Sequence, residues 1–143
     1  MSIRFFNEDV DLPVFKRRKI SNWLKFVVTS QSKKIGNICF VFCSDNYLLE
    51  INKRYLNHDY FTDIITFDYV ENNLVSGDIF VSLDRVLENS SDYNVSYNNE
   101  LFRILIHGVL HLLGFNDKLE DDKVIMTEKE DFYLKMLIDN FLA

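Results

Sequence analysis

The sequence predicts an α+β fold, a single compact domain with helices packed on a mixed sheet. Three observations carry this. Segments with strand-like and helix-like patterning interleave along the chain, and one adjacent pair of strands reads as a hairpin. The 143 residues suit one domain, and 48% of them are apolar, including 13 Phe and 7 Tyr, which is ample for one packed core. There is no internal repeat, linker or compositional break, so residues 1–143 are expected to form one unit.

The elements follow in order. Ser2 to Phe6 reads as a short strand. Leu12-Pro13 is expected to start a helix, since Pro is tolerated in a first turn. Val14, Phe15, Ile20, Trp23, Leu24, Val27 and Val28 give it an apolar face. Ile35 to Cys43, dense in β-branched and aromatic residues, is a buried strand. Ser44 or Asp45 caps a helix running to about Leu56. Asp63 to Val70 and Ser76 to Ser82 are strands joined by ENNLV as a hairpin. Leu83 to Asn89 is helical, NVSYNNE leads into a strongly apolar helix over roughly Asn99 to Leu113, and Glu120 to Phe141 closes the chain as an amphipathic helix.

Composition narrows the function. The net charge of −6 argues against broad, tight nucleic-acid binding, which leans on phosphate contacts. KRRK (Lys16 to Lys19) and Lys33-Lys34 are the concentrated positive charge, and the first reads as a solvated helix face. Cys39 and Cys43 lie four apart on one strand, about 13 Å at ~3.3 Å per residue, too far for a disulfide. Buried thiols in a reducing compartment are expected. No apolar run reaches membrane-span length, and MSIRFFNEDVD is acidic where a signal peptide is apolar, so a cytoplasmic protein is expected.

The chemistry is concentrated in HGVLHLLGFND, residues 107–117. At 100° per residue, His107 and His111 fall about 40° apart on one helix face and can share an ion. Gly114 suits the left-handed residue that ends a helix, and the returning chain lets Asp117 reach the same ion. Three protein ligands with an open fourth position is the pattern of a catalytic zinc site. The alternative, hydrogen-bonded core histidines, does not account for the glycine and aspartate at fixed offsets. Zinc peptidases place a general-base Glu after the first His. Here that position is Gly108, which speaks against a peptidase and leaves activation to the metal. Glycine costs a helix about 1 kcal/mol relative to Ala, which suggests a close approach at that point.

HGVLHLLGFND resembles the H-G-x-L-H-L-x-G-[FY]-D-H motif of the YbeY family of bacterial endoribonucleases and rRNA maturation factors. TDIITF (Thr62 to Phe67) is similar to the family's T-D-V-L-S-F strand, and SGDIFVS (Ser76 to Ser82) to its G-D-I-x-[IV]-S strand. Leu49, Asn52 and Tyr55 precede the first, and Glu100 opens the histidine helix. The resemblance spans about residues 36–135. It implies a four-stranded mixed sheet, here with about five helices, and one divalent metal ion, usually zinc. It implies a single-strand-specific endoribonuclease in rRNA maturation, including late 16S rRNA 3′-end processing, and in ribosome quality control. The implied partners are single-stranded rRNA, small-subunit ribosomal proteins and an assembly GTPase.

Carried over by position, His107 and His111 match the first two ligands, while Asp117 stands where the family has a third histidine. A harder, charged oxygen makes the site less zinc-selective. The family arginine of N-x-x-Y-R falls at Leu56, which cannot clamp a phosphate. Arg103, four residues before His107, is the alternative cation, so His107, His111 and Arg103 are the expected catalytic residues. Asp63, Asp78 and Glu100 are candidates to support a ligand histidine or face substrate. The rival expectation is a metal-stabilised ribosome-assembly factor that binds rRNA or ribosomal protein and cuts nothing.

Overall fold

The computed structural model describes residues 1–142. In chain order the elements are β1 (Ile3–Asn7), α1 (Arg17–Ser30), β2 (Lys34–Cys43), α2 (Asp45–Leu56), β3 (Ile64–Asp68) and β4 (Leu74–Ser82), then α3 (Leu83–Asp92), α4 (Tyr97–Leu112), α5 (Glu120–Met136) and a terminal π-helical turn, Leu137–Phe141. The sheet is four-stranded and mixed, in the order β1-β2-β4-β3. β1, β2 and β4 run parallel, and β3 returns antiparallel to β4. The α+β expectation, four strands with five helices, holds.

Strand alternation divides the molecule into two apolar layers. Ile38, Phe40 and Phe42 of β2 and Val75, Ile79 and Val81 of β4 face the main core, which α1, α4 and α5 complete. Cys43 and Ile65 point the other way and pack with Leu48 of α2 in a smaller cluster. Trp23 of α1 is fully buried, and its indole N–H donates to the Tyr133 carbonyl at 2.9 Å, tying α1 to α5.

The first helix departs from expectation. It begins at Arg17, not at Leu12-Pro13. Proline pushes the residue before it toward extended backbone, so the segment through Phe15 follows an irregular path. Leu12 and Phe15 still dock on the core, but Val14 is 94% exposed and contributes nothing to it. Lys16, Arg17 and Arg18 are solvated, as KRRK suggested. Gly36 lies inside β2, where the register shifts between Ile35 and Ile38. The hairpin turns through Asn72 with φ 56°, closed by reciprocal Glu71–Leu74 backbone hydrogen bonds. The expected single closing helix widens after Met136, where Leu142 N–H bonds five residues back to the Leu137 carbonyl and Phe141 turns onto Phe26. Cys39 and Cys43 are both free thiols; Cys43 is buried and Cys39 only half-buried.

Candidate metal centre

α4 carries the centre because its sequence lets it lie deep against the sheet. Ser96 caps it, accepting from Asn99 N–H at 3.0 Å. A Cβ added at Gly108 would meet Ile79 Cδ1 and Cγ2 at 3.0 Å and Ile64 Cδ1 at 3.1 Å. The helix therefore sits closer to β3 and β4 than a side chain would comfortably allow, and the close approach is to the sheet rather than to a ligand. With Gly108 turned inward, His107 and His111 fall at the open edge of the helix.

The helix ends in a Schellman arrangement. Phe115 N–H bonds to the Leu110 carbonyl, and Gly114 N–H bonds to that of His111, both at 3.0 Å. Gly114 has φ +99°, open only to glycine at low cost. This reversal returns Asp117 to the histidines. Asp117 Oδ2 lies 3.2 Å from His107 Nε2 and 3.5 Å from His111 Nε2, and the two Nε2 atoms are 3.0 Å apart. In a tetrahedral site with ligand bonds of about 2.0–2.1 Å, ligand atoms are separated by roughly 3.3 Å. His107, His111 and Asp117 could thus hold one metal ion, as the sequence spacing anticipated.

The donor chemistry fits that use. His107 Nδ1 donates to Glu130 Oε2 at 2.6 Å, which leaves a lone pair on Nε2 facing the trio. Glu130 is 7% exposed, and its other oxygen accepts from Arg103 Nη1 at 2.9 Å. Burial disfavours the charged His107 ring, but the Glu130 hydrogen bond with the nearby Asp117 and Asp63 charges outweighs it and raises the pKa. Burial and the neighbouring His107 lower the pKa of His111, which keeps that ring neutral and able to coordinate.

Two cavities border both His107 and Asp117. One, of about 490 Å³, lies between α3, α4 and α5 and is walled by Glu100, Arg103, Lys123 and Glu130. The other, of about 370 Å³, lies toward α2 and β3 and is walled by Leu56, His58, Tyr60 and Lys118. His107, Asp117 and Asp63 border both. Asp63 and Glu100 are therefore beside the centre. Burial raises both their pKa values: His107 opposes the shift at Asp63, and Arg103 opposes it at Glu100.

The remaining expected residues divide. Arg103 reaches the first cavity, but its guanidinium is held by Glu130 and, at 2.6 Å, by Asp131. Asp78 is not at the centre. β4 turns Gly77 and Ile79 toward α4, so Asp78 points to the opposite face, where it accepts from the Tyr69 hydroxyl at 3.1 Å. The residue that sequence reasoning missed is Glu130. Its signal was present: it falls midway between Met126 and Leu134 in the buried stripe of α5, where a lone carboxylate needs a partner.

Comparison with known proteins identifies the family. Residues 3–138 match the family described as Endoribonuclease YbeY. A protein of Parabacteroides distasonis named endoribonuclease YbeY is 49% identical over 137 residues, 96% of each chain. One of the same name from Flavobacterium psychrophilum is 46% identical over 92% of this chain and 94% of its own. A solution structure of a Thermotoga maritima protein superposes with a TM-score of 0.67 at 27% identity, covering 94% of this chain and 88% of that one.

Proposed function

The chain belongs to the Endoribonuclease YbeY family and is an endoribonuclease; from that premise we propose that it cuts single-stranded RNA at the His107–His111–Asp117 centre with a bound divalent ion, zinc first among them. The carrying observation is the convergence of three ligand atoms within 3.5 Å, with the His107 tautomer fixed from behind by Glu130. Such an ion supplies Lewis-acid polarisation of a phosphoryl oxygen and a source of hydroxide at neutral pH.

The protein's own groups do the rest. Glu130 orients His107 and keeps its Nδ1 protonated, so the ring cannot turn away from the trio. Arg103 acts through Glu130, holding that carboxylate in place, and its charge offsets the acidic cluster of Asp63, Glu100 and Glu130. Lys118 and Lys123, one in each cavity, supply the phosphate-facing cations that Leu56 does not. The substrate class is rRNA, with maturation of the 16S 3′ end and ribosome quality control as the setting. Small-subunit proteins and an assembly GTPase are the partners, and the cytoplasm is the compartment. Among the described residues no helix is long and apolar enough to cross a membrane, which is compatible with that location.

A second reading, an assembly factor that binds rRNA without cutting it, draws on Leu56 and the net charge of −6. Cleavage of a single-stranded rRNA-precursor fragment separates the two. Wild type and His111→Ala, purified in parallel, are compared, and the metal content of a His107→Ala, His111→Ala double variant is measured. Activity and metal lost together support the metal-centred nuclease. Equal activity in wild type and His111→Ala identifies a contaminating nuclease and returns the lead to the assembly factor. Full metal retention in the double variant rules out the assigned ligands.

A further inference from the structure

We propose that the 370 Å³ cavity between α2 and β3 is a nucleobase subsite, with the stacked rings of His58 and Tyr60 as its platform. The inference rests on the RNA-cutting reading above and says how the strand is held beside the metal ligands.

His58 and Tyr60 lie outside both apolar clusters, so core packing does not explain their order. Their rings stack with centroids 5.1 Å apart and planes 21° from parallel, and the Tyr60 hydroxyl meets His58 Nδ1 at 3.0 Å. Tyr60 is 55% exposed even so, leaving ring surface for a further partner. The segment is pinned rather than loose. Asn52, 2% exposed, fixes it twice: its carbonyl accepts from His58 N–H at 3.1 Å, and its side-chain amide donates to the Tyr60 carbonyl at 2.9 Å. Asn57, at φ 56°, makes the turn between α2 and the platform.

What fills the cavity follows from where it opens. His107, His111 and Asp117 are among the residues that line it, so an occupant lies beside whatever reacts at the trio. Its volume is within the roughly 300–1,000 Å³ of ligand pockets. Leu56 makes an apolar wall where a phosphate subsite would need a cation, and Lys118 is the basic residue at its border. Two aromatic faces, an apolar wall and a rigid loop suit a planar base, which stacks on such faces with little regard to sequence. The backbone phosphate then lies toward the metal ligands and Lys118.

The test uses full-length metal-loaded protein and a short single-stranded oligoribonucleotide, intact or with one abasic nucleotide stepped through its length. Binding is read by fluorescence anisotropy and cleavage by kcat/KM. Removing one base from a stacking platform weakens binding roughly 5- to 150-fold. Tyr60→Ala is expected to lose affinity on that scale for the intact strand, while Tyr60→Phe restores most of it. One abasic position should cause a similar loss in wild type and no further loss in Tyr60→Ala. The Tyr60→Ala deficit should persist at high salt, because stacking is not a phosphate contact. If wild type binds or cuts the strand and no abasic position matters, or Tyr60→Ala matches wild type, the platform is refuted while the nuclease reading stands. If wild type neither binds nor cuts single-stranded RNA, both fall.

Discussion

Replacing Glu130 with glutamine tests the logic of the centre more sharply than deleting a ligand does. The substitution keeps shape and burial but changes what the side chain can accept. In the wild type one carboxylate oxygen accepts from His107 Nδ1 at 2.6 Å and the other from Arg103 Nη1 at 2.9 Å. An amide has one acceptor oxygen, and both neighbours are donors. Arg103 cannot give up its protons, so the amide oxygen turns to it and the NH2 group faces His107. His107 then accepts at Nδ1, its proton moves to Nε2, and the lone pair aimed at Asp117 and His111 is lost. Changes of this kind weaken metal binding by about 10- to 100-fold, or roughly 1.4–2.7 kcal/mol. The assay is zinc competition against a chromophoric chelator at neutral pH. A double variant sharpens it: with Arg103→Met added, the glutamine oxygen is free to accept from His107, and affinity should recover most of the loss. Wild-type affinity in Glu130→Gln would refute the tautomer argument. A loss that Arg103→Met fails to reverse would show that charge rather than hydrogen-bond direction matters.

Three further outcomes follow from the packing and the titrating groups. Gly108→Ala should destabilise the fold by up to about 2 kcal/mol in urea unfolding, because the strain against Ile79 and Ile64 exceeds the gain in helix propensity; a stabilised variant would refute the close-approach account. In thiol labelling Cys43, buried and pushed up to about 12, should stay silent until denaturant is added, while half-buried Cys39 reacts slowly in the native state. Asp9 accepts from Ser44 N–H at 2.9 Å and from its hydroxyl, and the Ser44 side chain lowers its pKa. A depressed folded-state pKa contributes stability above the unfolded value, about 3.9, and loses it as pH falls through the folded value. The stability gap between wild type and Asp9→Asn should therefore be constant from neutral pH down to about pH 4 and close below it, as followed by urea midpoints.

Much of the site was legible because it is local in sequence. Two histidines one turn apart and an aspartate beyond a left-handed glycine are set by helix geometry alone. The hairpin was legible for the same reason. What escaped depends on contacts between distant segments. Glu130 is 23 residues from the histidine it orients, and only the docking of α5 on α4 brings them together. Asp78 stayed open in the sequence because strand alternation gives two faces without saying which one meets α4; Gly77, packed beneath Leu112, decides it. The late start of α1 reflects a competition between apolar spacing, which favoured a helix from Leu12, and Pro13, which did not.

Gly108 shows how the same residue answers a chemical and a structural question. In sequence it is the missing general base of a zinc peptidase. In the fold it is the point where α4 touches β3 and β4, and a methyl group there would press on Ile79 and Ile64 at 3.0–3.1 Å. A glutamate there would have to push its side chain between Ile79 and Ile64, at the interface of the helix and the sheet rather than toward the ligands. The depth of the helix and the absence of that glutamate are therefore one constraint. Two of the carboxylates beside the trio come from other elements: Asp63 from the residue before β3 and Glu130 from α5. Glu130 is occupied in holding His107, and Asp63 lies in the walls of both cavities. On the proposed reading, such a centre would rely on a bound ion for activation and on its walls for holding the strand, and it is through those walls that Leu56 and the His58–Tyr60 pair would bear on function.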